Sequence, residues 1–152
     1  MPGRLVGIYT ATEGGQPMDS RDQVHAIAGV GLEGDRYATK TGEFSDRDGG
    51  GREVTLIARE AVAAANTADV AIGEGETRRN LVTEGVDLEA LIGKQFAVGD
   101  VVLLGVRDCP PCAYLEQLTG QAVRRGLRNR GGLRADIVRA GTLRVGDVIT
   151  TV

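Results

Sequence analysis

Short β-prone runs, most of them separated by glycine or aspartate, recur along the whole chain. They are Leu5–Tyr9, Val24–Ile27, Glu53–Ile57, Asn80–Thr83, Gln95–Val98, Val101–Leu104, Ala135–Val138 and Leu143–Thr151. Glycine supplies 23 of the 152 residues, which suits a chain that must reverse direction often. Helical signals are fewer. Ala58–Ala65 is alanine-rich, Asp87 stands where it would cap a turn through Leu88–Leu91 stopped by Gly93, and Ala113–Thr119 reads as a helix ended by Gly120, with a further turn over Gln121–Leu127. Many strands without a regular strand–helix alternation predict a mainly β fold (α+β in detail): a β-barrel with a few short helices at its rim, in one domain over residues 1–152.

An internal echo supports that reading. Phe96-Ala97-Val98-Gly99-Asp100-Val101-Val102 resembles Leu143-Arg144-Val145-Gly146-Asp147-Val148-Ile149, two apolar arms around a Gly-Asp turn. The segment Asp46–Arg52 is polar and glycine-rich. It reads as a hairpin loop, or as a loop over a site with Arg52 facing an anion.

The totals exclude several classes. Eighteen basic against 21 acidic residues give −3, so there is no domain-wide footprint for nucleic acid, and the lack of tryptophan argues against a base-stacking surface. No apolar run approaches the roughly 18 residues of a membrane helix, and the N-terminus lacks the apolar stretch of a signal peptide. The expected compartment is the cytoplasm, where thiols stay reduced.

Cys109-Pro110-Pro111-Cys112 therefore stands out as chemistry or as bystanders, not as a staple. The prolines bar helix up to that point, and the helical signal starts directly after Cys112. A thiol there meets free N–H groups and a favourable dipole, which lower its pKa and favour the thiolate. Cys109 gains less. Zinc lacks ligands, since His25 is the only histidine, and a thioredoxin-like pair lacks its βαβ context. Two readings remain: buried inert cysteines, or a Cys112 thiolate that binds a soft metal or carries sulfur.

Arginines give the second signal. Arg78-Arg79-Asn80 leads into a strand, and Arg124, Arg125, Arg128, Arg130, Arg134 and Arg139 share a stretch whose only acid is Asp136. They read as a solvated face, or as a pocket for a phosphate-bearing ligand, because guanidinium forks match phosphate oxygens. In Gly34-Asp35-Arg36, Asp35 and Arg36 read as an internal brace or as a device aiming Arg36 at a site rim. His25, alternating with apolar neighbours, reads as structural.

In order, Gly31-Leu32-Glu33-Gly34-Asp35-Arg36, Glu53–Ile57, Arg78–Thr83 with Leu91-Ile92-Gly93, the cysteine motif with Leu115-Glu116, Arg130–Ala135 and Val145-Gly146-Asp147 resemble the MOSC family, the domain found at the C-terminus of molybdenum cofactor sulfurases. The series covers nearly the whole chain and looks like a small standalone member. The resemblance implies a β-barrel and a role with the molybdenum cofactor, a phosphate-bearing molybdopterin. It implies that Cys112 takes up sulfur as a persulfide or ligates molybdenum. It places the cofactor on Arg78 and Asn80, with Arg52 and Thr55 as weaker matches and Arg36 and Arg134 matched by motif position alone.

Three functions follow as alternatives. The first is a cofactor-binding sulfur carrier, in which Cys112 accepts sulfane sulfur and delivers it to molybdenum. The second is a molybdenum-dependent reductase of N-hydroxylated substrates, with Cys112 as metal ligand and electrons from a partner protein. The third is a non-catalytic binding module built on the arginine-rich segment. Pyridoxal phosphate is expected only on a partner desulfurase, because 152 residues leave no room for that domain. Expected partners are a cysteine desulfurase or other sulfur donor, and a molybdoenzyme or electron-transfer protein. Neither membrane nor nucleic acid is expected.

Overall fold

Seven strands close on themselves in the computed structural model, which describes residues 3–11, 18–35, 53–66, 78–109 and 132–151. The strands are β1 (Gly3–Thr10), β2 (Asp19–Arg21), β3 (Gln23–Ile27), β4 (Gly31–Leu32), β5 (Val54–Ala58), β6 (Leu81–Glu84), β7 (Gln95–Val98), β8 (Val101–Asp108), β9 (Leu133–Arg139), β10 (Gly141–Arg144) and β11 (Val148–Thr151). The barrel runs β1-β6-β5-β9-β8-β7-β11, and β11 returns to β1 through Gly3↔Ile149 and Arg4↔Val148. The expected β-barrel is thus present. β2 extends the sheet beside β1 at Ile8–Thr10, beyond the part of β1 that β11 covers.

β10, β3 and β4 form a separate three-stranded sheet. The chain turns between the two sheets at Asp22 and again at Val145–Asp147, and the Val145 N–H donates to the Asp22 carbonyl at 3.0 Å. Val24, Ala26, Leu32 and Leu143 of the small sheet share one apolar core with Leu5, Ile8, Leu56, Phe96, Leu103 and Ile137 of the barrel. The Gly-Asp echo has two outcomes. Around Gly99-Asp100 the arms pair with each other as β7 and β8. Around Gly146-Asp147 they part, β10 joining β3 and β11 joining β7 and β1, so the expected Leu143–Thr151 strand is two strands in two sheets.

β5 and β6 are the one parallel pair in the barrel, and a helix joins parallel neighbours readily. Helix α1 (Arg59–Asn66) lies in that connection and packs Ala61 and Val62 on Ile57 and Val82. This explains why Val54–Ile57 and Leu81–Thr83 are buried at every position: one face fills the barrel and the other lies beneath α1 or the polar seam described below. Alanines favour the helix, Glu60 accepts the Gly85 N–H at 2.8 Å, and the Asn66 amide donates to the Val62 carbonyl at the other end.

The turn expected at Leu88–Leu91 is a 3-10 turn over Glu89–Leu91. Its cap position is Leu88 with no side-chain cap bond, so Asp87 does not cap it. It rests on Gly105, where a Cβ would lie 2.1 Å from the Leu91 carbonyl oxygen. Gly105 lies inside β8, which runs past Leu104, where the sequence run ends, to Asp108. The helical signals Ala113–Thr119 and Gln121–Leu127 and the loop Asp46–Arg52 lie outside the described residues.

Candidate functional site

A buried polar seam runs from the middle of β5 to the residues that precede β6. Thr55, Arg78, Arg79 and Asn80 are all buried there. Asn80 is its hub. Its side-chain oxygen accepts from the Thr55 N–H at 3.0 Å and the Thr55 hydroxyl at 3.2 Å, and its amide nitrogen donates to the Tyr9 carbonyl at 3.1 Å. Its backbone N–H donates to Thr55 Oγ1 at 3.0 Å, and its carbonyl accepts from the Tyr9 N–H at 2.7 Å. The two site candidates Thr55 and Asn80 are therefore brought together, but they face each other. Asn80 joins β1, β5 and β6, and most of its hydrogen-bonding capacity is used within the chain.

Arg78 has φ 61, the one left-handed non-glycine residue among the described residues. A non-glycine side chain held there costs of order 1–3 kcal/mol and persists only where its surroundings fix it. The Asn80 brace two residues on and the burial of Arg79 do so. Arg79 Nη2 donates to the Cys109 carbonyl at 2.8 Å in a buried setting. A hydrogen bond from a charged donor contributes about 1.5–3 kcal/mol.

Cys109 follows β8 and is buried. Its N–H donates to the Gly132 carbonyl at 2.8 Å, so the residue is anchored through both its N–H and its C=O. Gly132 is required by contact and by backbone: φ is +118, and a Cβ would lie 2.1 Å from the Leu56 carbonyl oxygen. Cys109 is thus a buried free cysteine held by its backbone. Cys112, Arg52 and Arg36 lie outside the described residues.

Arg134 on β9 stands opposite Thr55 on one side and opposite Arg107 of β8 on the other. Directly opposed like charges repel, and a shared anion between them relieves the repulsion. Arg134 Nη1 and Arg78 Nη2 are buried nitrogens with no hydrogen bond among the described residues, while each residue makes other interactions. Arg107 was missed in the sequence. Gly105 interrupts the apolar run there, and β8 continues past it to Asp108.

Glu53 borders the seam. One of its oxygens accepts the N–H groups of Gly29 and Ile137, each at 3.0 Å. Burial pushes its carboxyl above the usual glutamate value and the neighbouring Asp136 adds to this, while the two backbone donors pull it back in part. Asp35, the candidate brace, is buried and accepts the Ala11 N–H at 3.1 Å. His25 is exposed on β3. No three of His, Cys, Asp and Glu stand together as a metal site among the described residues, and no helix there is long and apolar enough to cross a membrane.

A family model described as the MOSC domain matches residues 39–150. The fold is similar to that of the YUAD protein from Bacillus subtilis, with a TM-score of 0.76, 19% identity, and 98% of this chain and 94% of that one covered. It is also similar to YiiM from Geobacillus stearothermophilus, with a TM-score of 0.74, 12% identity and 99% and 75% coverage. YiiM from Escherichia coli gives 0.69, 19%, and 100% and 70%. Among curated proteins there is no match.

Proposed function

We propose that this chain, which belongs to the MOSC domain family, binds a phosphate-bearing molybdenum cofactor and carries sulfur on Cys112 for delivery to the metal. One observation carries the reading. The Arg79–Cys109 hydrogen bond ties the Arg78-Arg79-Asn80 segment to Cys109, the first residue of the cysteine motif and three positions before Cys112 in the sequence, which supports the reading.

The donor set suits such a cofactor. Guanidinium groups of Arg78 and Arg134 match phosphate oxygens, and a thiolate is a soft ligand suited to a soft or sulfur-rich metal centre. When bound, the cofactor supplies molybdenum as a sulfur acceptor. Arg78 and Arg134 hold the anionic end, with Arg52 and Arg36 as further candidates. Asn80 and Thr55 fix the backbone from which Arg78 projects.

In the carrier step the Cys112 thiolate attacks the outer sulfur of a donor persulfide. The donor's S–S bond breaks, its cysteine leaves as a thiolate, and Cys112 holds the sulfur. The donor is a cysteine desulfurase, which brings its own pyridoxal phosphate, or another sulfane-sulfur source. The recipient is a molybdoenzyme. A reducing compartment, the cytoplasm, keeps Cys112 available.

The test is incubation with a cysteine desulfurase and cysteine, followed by peptide mass spectrometry. One added sulfur on Cys112, lost in Cys112→Ser, is expected. No adduct, or an adduct on Cys109, would refute the carrier reading. Stoichiometric molybdenum in protein from cofactor-competent cells, lost in Cys112→Ala, would favour the reductase instead.

A further inference from the structure

We propose that Arg79 is the positioning residue of the cysteine motif: by holding the Cys109 carbonyl it keeps the Cys109 thiol buried and so leaves Cys112 as the single reactive thiol. The role of Cys112 in that statement rests on the reading above, whereas the role of Arg79 toward Cys109 stands on geometry alone.

Arg79 is buried, and so is its bond to Cys109. Cys109 has two anchors, the Gly132 carbonyl on its N–H and the Arg79 guanidinium on its C=O. The first belongs to the strand pair β8–β9, which Asp108↔Leu133 already secures. The second is a side-chain contact from the far side of β5, and it comes immediately before Pro110. Proline has no N–H, so the two peptides that follow Cys109 offer no backbone donor to replace a lost anchor. The carbonyl of Cys109 is thus the last backbone acceptor before a stretch that cannot donate a backbone hydrogen bond, and Arg79 holds it. Arg79 also lies between Arg78 and Asn80. The same three residues therefore present a cation, clamp the cysteine segment and brace three strands.

Differential alkylation with iodoacetamide tests this, with Cys109 and Cys112 quantified as separate peptides. In the wild type Cys109 labels slowly. Arg79→Gln should raise the Cys109 labelling rate roughly 10- to 100-fold, the population shift that loss of one charge-assisted hydrogen bond produces. Arg79→Lys, which still donates, should stay close to wild type. Val24→Ala, a core change in the small sheet, serves as the stability control and should leave the ratio of the two thiols unchanged. Equal rises in Arg79→Gln and Val24→Ala would reduce Arg79 to a general stabiliser and overturn the proposal, as would no rise at all.

Should Arg79→Gln fail to fold, labelling of the wild type in sub-denaturing urea decides. A weak urea dependence for Cys109 supports a local latch, and a dependence equal to that of global unfolding overturns it. Equally fast labelling of Cys109 and Cys112 in the wild type would overturn the proposal itself. Equally slow labelling of both would instead refute the Cys112 reading, and the change at Cys109 between variants would still decide the role of Arg79.

Discussion

Replacing Asn80 with alanine separates a brace from a ligand. In the structure the Asn80 side chain satisfies the Thr55 N–H and the Tyr9 carbonyl, and both lose that partner in Asn80→Ala. At about 1–3 kcal/mol for the buried Thr55 N–H left unsatisfied, and less for the half-buried Tyr9 carbonyl, the expected loss of stability is roughly 2–4 kcal/mol. For a chain of this size about 4 kcal/mol corresponds to a fall in Tm of roughly 8–16 °C. Thr55→Val removes the hydroxyl that meets Asn80 Oδ1 and the Asn80 N–H. The two changes share a contact, so the double variant should lose less than the sum by about 0.5–3 kcal/mol. Urea and thermal unfolding of the four proteins, without cofactor, measure all of this. A single-variant loss under about 1 kcal/mol, less than the cost of one unsatisfied group, would refute the brace. Asn80 would then be available to a ligand, as the family resemblance implies.

Glu53→Gln tests the seam's electrostatics. The raised carboxyl means that Glu53 supports folding below its unfolded value of 4.5 and that this support fades as pH rises through its folded value. Glutamine keeps an acceptor for Gly29 and Ile137, so unfolding curves should show the variant gaining on the wild type as pH rises from 4.5 toward neutrality; a parallel pH profile would refute this. Gly132→Ala meets the Leu56 carbonyl and an unfavourable φ, and should cost more than the roughly 1–3 kcal/mol of backbone strain alone. Gly29→Ala, with φ +76 but open space around it, should cost only that strain, and thermal unfolding of the pair checks the difference.

The sequence revealed elements more readily than partners. Val101–Leu104 and Gln95–Val98 were legible because both strands and their turn lie in one stretch of chain, where apolar arms and Gly99-Asp100 suffice. The same pattern at Gly146-Asp147 gave no hint that its arms separate, because that depends on Asp22 and on β1, far away in sequence. β2 is three exposed polar residues and carries no periodic signal at all. At the site, Arg78 and Asn80 were visible as a motif. The partners that define Asn80 and Arg79 are Thr55, Tyr9 and Cys109, which are 25, 71 and 30 residues away and leave no local trace. Arg107 was hidden for a local reason, since Gly105 two residues before it reads as the end of a strand.

The meeting of β1 with β11 has a consequence for biosynthesis. Arg4 reaches Gly146 across 142 residues, so the cylinder cannot close until that late segment has left the ribosome. Such distant pairings form slowly, and until then β7 and the lower half of β1 present bare hydrogen-bonding edges to other nascent chains. The four residues Val148–Thr151 act as the fastener of the molecule. A chain cut short just before them would retain nearly all of the core sequence and be prone to joining its neighbours edge to edge.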